Sequence, residues 1–133
     1  MSRIERFEDL EAWKLARIFA NSIYNVSSVG NFARDFALRD QIRRASISIV
    51  SNIAEGFERD GDKEFIQFLF MAKGSCGEVR AQLYLAFDRV YLPEDEFSKL
   101  AGNAIELSRV ISGLIKYLKN SELTGKKYKA TFN

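Results

Sequence analysis

Apolar residues recur every three or four positions along most of this 133-residue chain, and polar residues fill the positions between them. This spacing is typical of amphipathic α-helices, and no stretch shows the strict alternation of a half-buried strand. The pattern predicts four long helices, at about 9–27, 36–58, 62–90 and 93–119. Because the breaks between them are short, we expect neighbouring helices to be antiparallel, which predicts an all-α, up-and-down four-helix bundle.

The predicted breaks contain residues that disfavour helix. A cluster of breakers, Ser27 to Asn31, follows the first helix. Gly61 lies between two aspartates and is a tolerable N-cap for the third helix, with Glu64 placed to complete a capping box. Pro93, the only proline, suits the first turn of the fourth helix, because its φ is fixed and it lacks a backbone N–H.

The inward faces of the last three predicted helices supply a candidate core, and a chain of this length can bury one core without disulfides or metals. We therefore expect a single bundle domain at 1–120. Residues 121–133 carry three lysines and few apolar groups, which predicts a basic, flexible C-terminal tail. The predicted core residues are Ile42, Ile49, Ile53, Phe65, Phe68, Leu69, Ala72, Cys76, Val79, Leu83, Leu100, Ala104, Leu107, Ile111, Leu114 and Leu118.

Two polar stripes interrupt these otherwise apolar helices, one on the second and one on the third. If the stripes face each other, an ion pair between Arg44 and Glu78 satisfies the charges, and serine and amide side chains complete the hydrogen bonds. Such a network chiefly specifies packing and register, and a ligand site remains the alternative. Its predicted members are Arg44, Ser48, Asn52, Glu55, Ser75, Glu78 and Gln82.

The first and third predicted helices carry more apolar surface than one bundle uses. Large exposed apolar patches usually mark contact surfaces, so we expect a homo-oligomer; a wide bundle face that absorbs these residues is the alternative. Gly74 and Gly77 weaken a helix interior and are explained if another backbone approaches there. The predicted interface residues are Trp13, Tyr24, Ile66, Phe70 and Tyr84.

Composition limits the chemistry of the chain. It contains one cysteine, Cys76, no histidine and a net charge of +2. A lone cysteine excludes a disulfide framework and, together with the lack of an apolar leader or membrane-length segment, predicts a cytoplasmic protein. No metal-ligand spacing or phosphate-binding glycine loop is present. We therefore expect no enzymatic activity, no metal and no cofactor.

A set of motifs extends over roughly residues 7–119 and leaves out the basic tail. It comprises Phe7, Asp9-Leu10, Trp13, Ala16, Tyr24, Gln41–Ala45, Ser48, Asn52–Phe57, Arg59, Glu64-Phe65, Phe68-Leu69, Ala72, Gly74-Ser75 and Glu78. This set resembles a known family, the bacterial four-helix bundle proteins encoded in intervening sequences of large-subunit ribosomal RNA genes.

The resemblance implies a four-helix bundle assembled as a ring of five, similar to the accessory proteins of diversity-generating retroelements. Positive surfaces of those proteins engage nucleic acid and a reverse transcriptase, and the resemblance implies no enzymatic activity.

Two functional hypotheses follow. The first is an oligomeric accessory protein that binds RNA or DNA through arginines and lysines repeated around the assembly, which favours shape and charge over base identity. The second is a structural or protein-interaction scaffold whose charges serve solubility or docking to a protein partner. The leading phosphate-binding candidates are Arg39 and Arg43, at i and i+4 on the second helix. The further candidates are Arg59, Lys63, Lys73 and Arg80.

Overall fold

A computed structural model describes residues 4–124 of the chain. Within that range the chain forms a short 3-10 turn at Phe7–Asp9 and five α-helices, and no strand. All-α architecture is thereby confirmed. The α-helices are α1 Glu11–Val26, α2 Gly30–Arg34, α3 Phe36–Glu58, α4 Asp62–Asp88 and α5 Glu94–Thr124.

The four long helices, α1, α3, α4 and α5, form the predicted bundle, in which α3 packs against α1 and α4, and α5 against α4 and α1. Residues later in α3 contact residues earlier in α4. Ser48 bonds to Ser75, whereas Gly56, further along α3, lies against Phe68, which is earlier on α4. α3 and α4 are therefore antiparallel, as their short connection favours.

A single apolar core runs through the bundle. Every predicted core residue is buried except Phe68 and Leu114, which are partly buried. α1 contributes Ala12, Ala16, Phe19 and Ile23 to this core. Each long helix presents one apolar face inward, and Leu10, Phe32 and Leu92 from outside the long helices complete the core.

Two boundaries differ from the sequence prediction. The segment interpreted as breakers continues into α2, a five-residue helix. The physical reason is Phe32, which is 1% exposed and stacks on Tyr91 with ring centroids 5.3 Å apart, so its burial anchors the segment. α5 continues to Thr124, past the predicted domain end at 120. The lysines of the predicted tail, at 126, 127 and 129, lie outside the described residues.

Asp35 joins the start of α3 to the α4–α5 connection. Its carboxylate accepts a hydrogen bond from the backbone N–H of Leu38 at 3.1 Å, which caps α3, and a second from the Tyr91 hydroxyl at 2.8 Å. These two hydrogen bonds, followed by the charge of Arg89, lower the pKa of Asp35. A side chain that ends one helix thus also fixes a distant loop.

Val90 ends α4 in a conformation that usually requires glycine. Its φ is +62°, and its N–H donates to the Phe87 carbonyl while that of Tyr91 donates to the Ala86 carbonyl, which is the Schellman arrangement. A β-branched side chain in the left-handed region is strained by roughly 1–2 kcal/mol. Val90 is also 85% exposed, so no packing offsets that strain.

We expect Val90→Gly to raise the free energy of unfolding by about 0.5–1 kcal/mol, because relief of the strain exceeds the added flexibility of the unfolded chain. Urea unfolding followed by circular dichroism measures the change. Val29→Gly is the matched control: Val29 is 65% exposed but has an ordinary φ of −123°, so the same substitution there lowers stability. Equal effects at the two positions would contradict the account of Val90.

Gly56 is the point of closest approach between α3 and α4. A Cβ atom placed on Gly56 would lie 2.6 Å from the Cβ of Phe68 and 3.0 Å from a ring carbon of Phe65. The Cβ of Phe68 is fixed to the backbone of α4, so it cannot move aside without moving the helix. Only glycine therefore permits this spacing of the two helices.

We expect Gly56→Ala to destabilise the protein, because overpacking of about 1–3 kcal/mol exceeds the gain of about 1 kcal/mol in helix propensity. The midpoint of urea unfolding should fall. Gly102→Ala is the control, since Gly102 is exposed on α5 and a Cβ atom placed there would have no described atom within 4 Å, so its midpoint should rise. A stabilised Gly56→Ala protein would show that the α3–α4 approach is not tight.

Candidate nucleic-acid interface

Arg39, one of the two leading candidates for phosphate contact, is engaged by other residues of its own chain. Its Nε lies 2.9 Å from the carboxylate of Asp40, and its Nη1 donates to the Ala33 carbonyl at 3.0 Å. The guanidinium also lies 4.7 Å from the centre of the Phe36 ring. Arg39 therefore connects the end of α2 to the first turn of α3, with its positive charge balanced locally.

Arg43, the second leading candidate, holds α1 against α3. Its Nε donates to Ser27 Oγ at 2.8 Å, and its Nη2 to Ser28 Oγ at 3.0 Å and to the Tyr24 carbonyl at 3.5 Å. The guanidinium lies 4.5 Å from the centre of the Tyr24 ring. These partners are at the C-terminus of α1, where unpaired carbonyls and the helix dipole attract a cation. The primary role of Arg43 is thus to close the end of α1.

The other four candidate cations divide into one engaged and three accessible residues. Arg59 forms an ion pair with Glu55 at 3.0 Å and lies 4.9 Å from the centre of the Phe68 ring. Lys63 and Arg80 are exposed and Lys73 is half-buried. None of these three forms an ion pair with another residue of the described range. The accessible part of the predicted set therefore belongs to α4 alone.

The neutral half of the predicted polar network forms between α3 and α4. Ser75 Oγ donates to Ser48 Oγ at 3.0 Å. Asn52 Nδ2 donates to the same hydroxyl at 2.9 Å and to the Ser48 carbonyl at 2.8 Å. Ser75 is buried and the other two are half-buried, so the bonds satisfy polar groups that packing has removed from water.

The charged half of the network does not come together. Arg44 and Glu78 are both exposed, and no ion pair joins them in the described structure; Glu55 pairs with Arg59 instead. Gln82 is half-buried, and its Oε1 is enclosed without a hydrogen-bond partner among residues 4–124. Charges at the rim of the α3–α4 contact remain hydrated, which costs less than burying them as a pair.

Four of the five predicted interface residues lie at the surface, and one does not. Tyr24, Phe70 and Tyr84 are 38%, 48% and 55% exposed, and Trp13 is half-buried. Ile66 is 7% exposed and belongs to the core, so its placement on the interface is wrong. The physical reason is that the core-facing side of α4 is wide at its start and takes in two adjacent residues, Phe65 and Ile66.

The outer face of α4 carries further apolar residues that sequence reasoning missed. Met71 is 50% exposed and Leu85 is 54% exposed. Between them, Gly74 and Gly77 have no described atom within 4 Å of the position of a side-chain carbon. Helical periodicity places Met71 on the polar stripe of α4. Because Met71 directly follows Phe70, it also lies next to the exposed apolar residues of this helix. We call Phe70, Met71, Gly74, Gly77, Tyr84 and Leu85 the α4 outer face.

Cys76 is buried in the core, and burial raises the pKa of its thiol to about 12, which disfavours the reactive thiolate at neutral pH. Residues 4–124 hold no cluster of histidine, cysteine, aspartate or glutamate suited to a metal ion. In the same range, every helix is too short or too polar to cross a membrane.

Comparison with known proteins agrees with this architecture. The sequence profile of the 23S rRNA-intervening sequence protein family matches residues 8–113. A crystal structure of a protein with unknown function from the S23 ribosomal protein family of Bacteroides thetaiotaomicron superposes with a TM-score of 0.73 and 24% sequence identity. The match covers 79% of this chain and 95% of that chain, and it establishes the fold alone. No protein of curated function matches the chain.

Neighbouring arginines test whether Arg43 is structural. We expect Arg43→Gln to lower the free energy of unfolding by about 1–3 kcal/mol, because the substitution removes hydrogen bonds from a charged donor to the end of α1. Arg44→Gln, one residue away, is exposed and should change stability by less than about 0.5 kcal/mol. Thermal and urea unfolding measure both variants. Two equally stable variants would mean that the contacts of Arg43 contribute nothing to the fold.

Proposed function

This chain belongs to the 23S rRNA-intervening sequence protein family, and from that premise we propose that it is a self-associating accessory protein that binds nucleic acid and catalyses no reaction. Several copies would present the same cations repeatedly, so that weak phosphate contacts add up to useful avidity. A reducing compartment such as the cytoplasm suits the free thiol of Cys76. A ring of five copies is the assembly that the family resemblance favours.

The observation that carries this proposal is the α4 outer face. It combines exposed aromatic and aliphatic side chains with two glycines, Gly74 and Gly77, whose surroundings are empty in one subunit. Each glycine weakens the interior of a helix by about 1 kcal/mol relative to alanine. A helix from a second copy could approach closely at these glycines, because they have no side chains, and its contact would remove the apolar side chains from water.

Association through this face changes which cations could reach a nucleic acid. Lys73 and Arg80 lie on the same helix within a few residues of the α4 outer face, and Lys119 lies 5.1 Å from the centre of the Phe70 ring. In an assembly these charges would sit at the rim of the contact, where they steer association more than they add affinity. The proposal therefore places phosphate contacts chiefly on other surfaces of the subunit.

A protein-interaction scaffold is the second candidate function. It is favoured by the internal engagement of Arg39, Arg43 and Arg59, which leaves fewer free cations than the sequence predicts. In that case the apolar face would still drive association, but the assembly would not bind polyanions. Both candidate functions require self-association, and only the first requires binding to nucleic acid.

One experiment tests both halves of the proposal with matched glycine variants. Gly74→Arg/Gly77→Arg places two bulky cations on the α4 outer face, where one subunit has room for them. Gly102→Arg/Gly113→Arg adds the same charge on α5, where the described surroundings are equally open. Sedimentation velocity gives the mass of each protein, and fluorescence anisotropy with a labelled structured RNA gives its affinity at increasing salt.

We expect the wild type and the α5 variant to sediment as multiples of the 15.2 kDa subunit and to bind RNA with an affinity that falls steeply with salt. The α4 variant should sediment as a monomer and bind at least about tenfold more weakly despite its added charge, because multivalency is lost. A monomeric wild type would overturn the assembly. If the wild type assembles but shows no salt-dependent affinity for RNA or DNA, nucleic-acid binding is rejected and the scaffold function is favoured.

A further inference from the structure

The exposed side of α1 is free of acidic residues beyond its first turn. From Ala12 to Arg34 the sequence contains no aspartate or glutamate, although such residues are frequent elsewhere in the chain. The exposed polar side chains along this stretch are instead cationic, amide or hydroxyl groups, with Lys14 and Arg17 as the cations of α1, and Ile18 and Val29 are exposed aliphatic residues among them. A segment of this composition attracts anions and repels none of them.

This surface contains an open groove with a volume of about 790 Å³, formed by α1 and the segment that precedes it. Lys14, Arg17, Asn21 and Asn25 line it along successive turns of the helix, and Trp13 lines its N-terminal part. Lys14, Arg17, Asn21 and Asn25 can each donate a hydrogen bond to a ligand in the groove. The groove therefore offers a row of polar donors beside the exposed aliphatic side chain of Ile18.

The charge balance of the groove is positive. Arg6 lies at its edge and pairs with Asp9 at 3.7 Å, and Glu8 is the one carboxylate of the lining. Lys14 and Arg17 form no ion pair with any described residue. Two cations thus remain uncompensated, in contrast to Arg39 and Arg59, which have carboxylate partners.

Trp13 lines the groove, and its ring is held in place by neighbouring side chains. Its ring packs edge-on against Phe7, with centroids 5.1 Å apart, and the Arg17 guanidinium lies 5.7 Å from the centre of the ring. The indole Nε1 is enclosed and has no acceptor within the described range. A cation held over an aromatic ring keeps its charge while losing some of its freedom, which reduces the entropy lost when it binds an anion.

The cations Lys14 and Arg17 of the groove form a strip along α1, and this strip continues toward α3 with Arg43. Tyr24 follows Asn21 by three residues and carries the Arg43 guanidinium over its ring. From Lys14 to Tyr24 the helix advances by about 15 Å, since each residue adds about 1.5 Å. Successive phosphates of one strand are about 3.4 Å apart along a duplex axis. The strip is therefore long enough to follow several phosphates.

From these observations we infer that the α1 groove binds the phosphodiester backbone of a nucleic acid, with Lys14 and Arg17 as its principal phosphate contacts and the amides of Asn21 and Asn25 as further donors. This inference rests on the proposed nucleic-acid binding and assigns it a surface away from the α4 outer face. Because the contacts are to phosphate, binding is independent of base sequence.

Trp13 makes the inference directly testable, because it is the only tryptophan of the chain and it lines the groove. Titration of the wild-type protein with a single-stranded RNA, a duplex RNA and inorganic phosphate is followed by tryptophan emission and by anisotropy of the labelled RNA. We expect the emission to change with the same midpoint as the anisotropy for the RNA ligands. Saturation by phosphate alone at millimolar concentration would instead indicate a simple anion site and overturn the inference.

Charge reversal locates the binding surface. Lys14→Glu/Arg17→Glu should weaken RNA binding by at least about tenfold and lower the salt slope by about 1.4, the contribution of two phosphate contacts on a single strand. Lys99→Glu/Lys116→Glu is the matched control: both lysines are exposed on α5, and the net charge of the two variants is the same. Its affinity should stay within about threefold of the wild type. Circular dichroism and sedimentation confirm that each variant remains folded and assembled.

The outcomes separate this inference from the function on which it rests. If the wild type binds RNA but both double variants lose affinity equally, or the tryptophan emission stays constant at saturation, the nucleic acid lies elsewhere and the α1 groove is excluded. If the wild type fails to bind any of the nucleic acids at low salt, the proposed function itself fails. Lys14→Gln/Arg17→Gln, which removes charge without reversing it, should give an intermediate loss if the contacts are direct.

Discussion

The close approach of α3 and α4 at Gly56 is the constraint on which the rest of the molecule depends. Since Gly56 has no side chain, the backbone of α3 can lie against Phe65 and Phe68 of α4, and further along the same contact Ser48 can bond to Ser75. This spacing decides which side chains of α3 and α4 are inside. It buries Ser75 and leaves Arg44 and Glu78 in water.

Arginine is used in this protein as much for packing as for charge. Arg39, Arg43 and Arg59 each lie over an aromatic ring and each bond to an acceptor of the same subunit. A guanidinium is planar, weakly hydrated and always charged, so it can complete a helix end or cover a ring where a lysine would not. These three arginines therefore contribute less free positive charge to the surface than the sequence predicts.

The proposed function divides the surface between two tasks. The α4 outer face would supply apolar area for association, whereas the exposed side of α1 would supply uncompensated cations for nucleic acid. The two surfaces lie on different helices, so a subunit could take part in both kinds of contact at once. Repetition of the α1 groove around an assembly would turn a modest number of phosphate contacts per subunit into strong binding.

The sequence by itself determined the class of fold, the four long helices and nearly all of the core. The reason is that the spacing of apolar residues is a local property of the chain, and it marks the one face of each helix that becomes buried. It could not determine the partners of individual polar side chains. Arg43 was predicted to face a phosphate, yet it meets Ser27 and Ser28, which are distant in sequence. Ile66 was predicted outside and lies in the core, and α2 forms because Phe32 is buried against Tyr91. These outcomes depend on the rotation and spacing of helices about one another, and only the tertiary structure sets those two quantities.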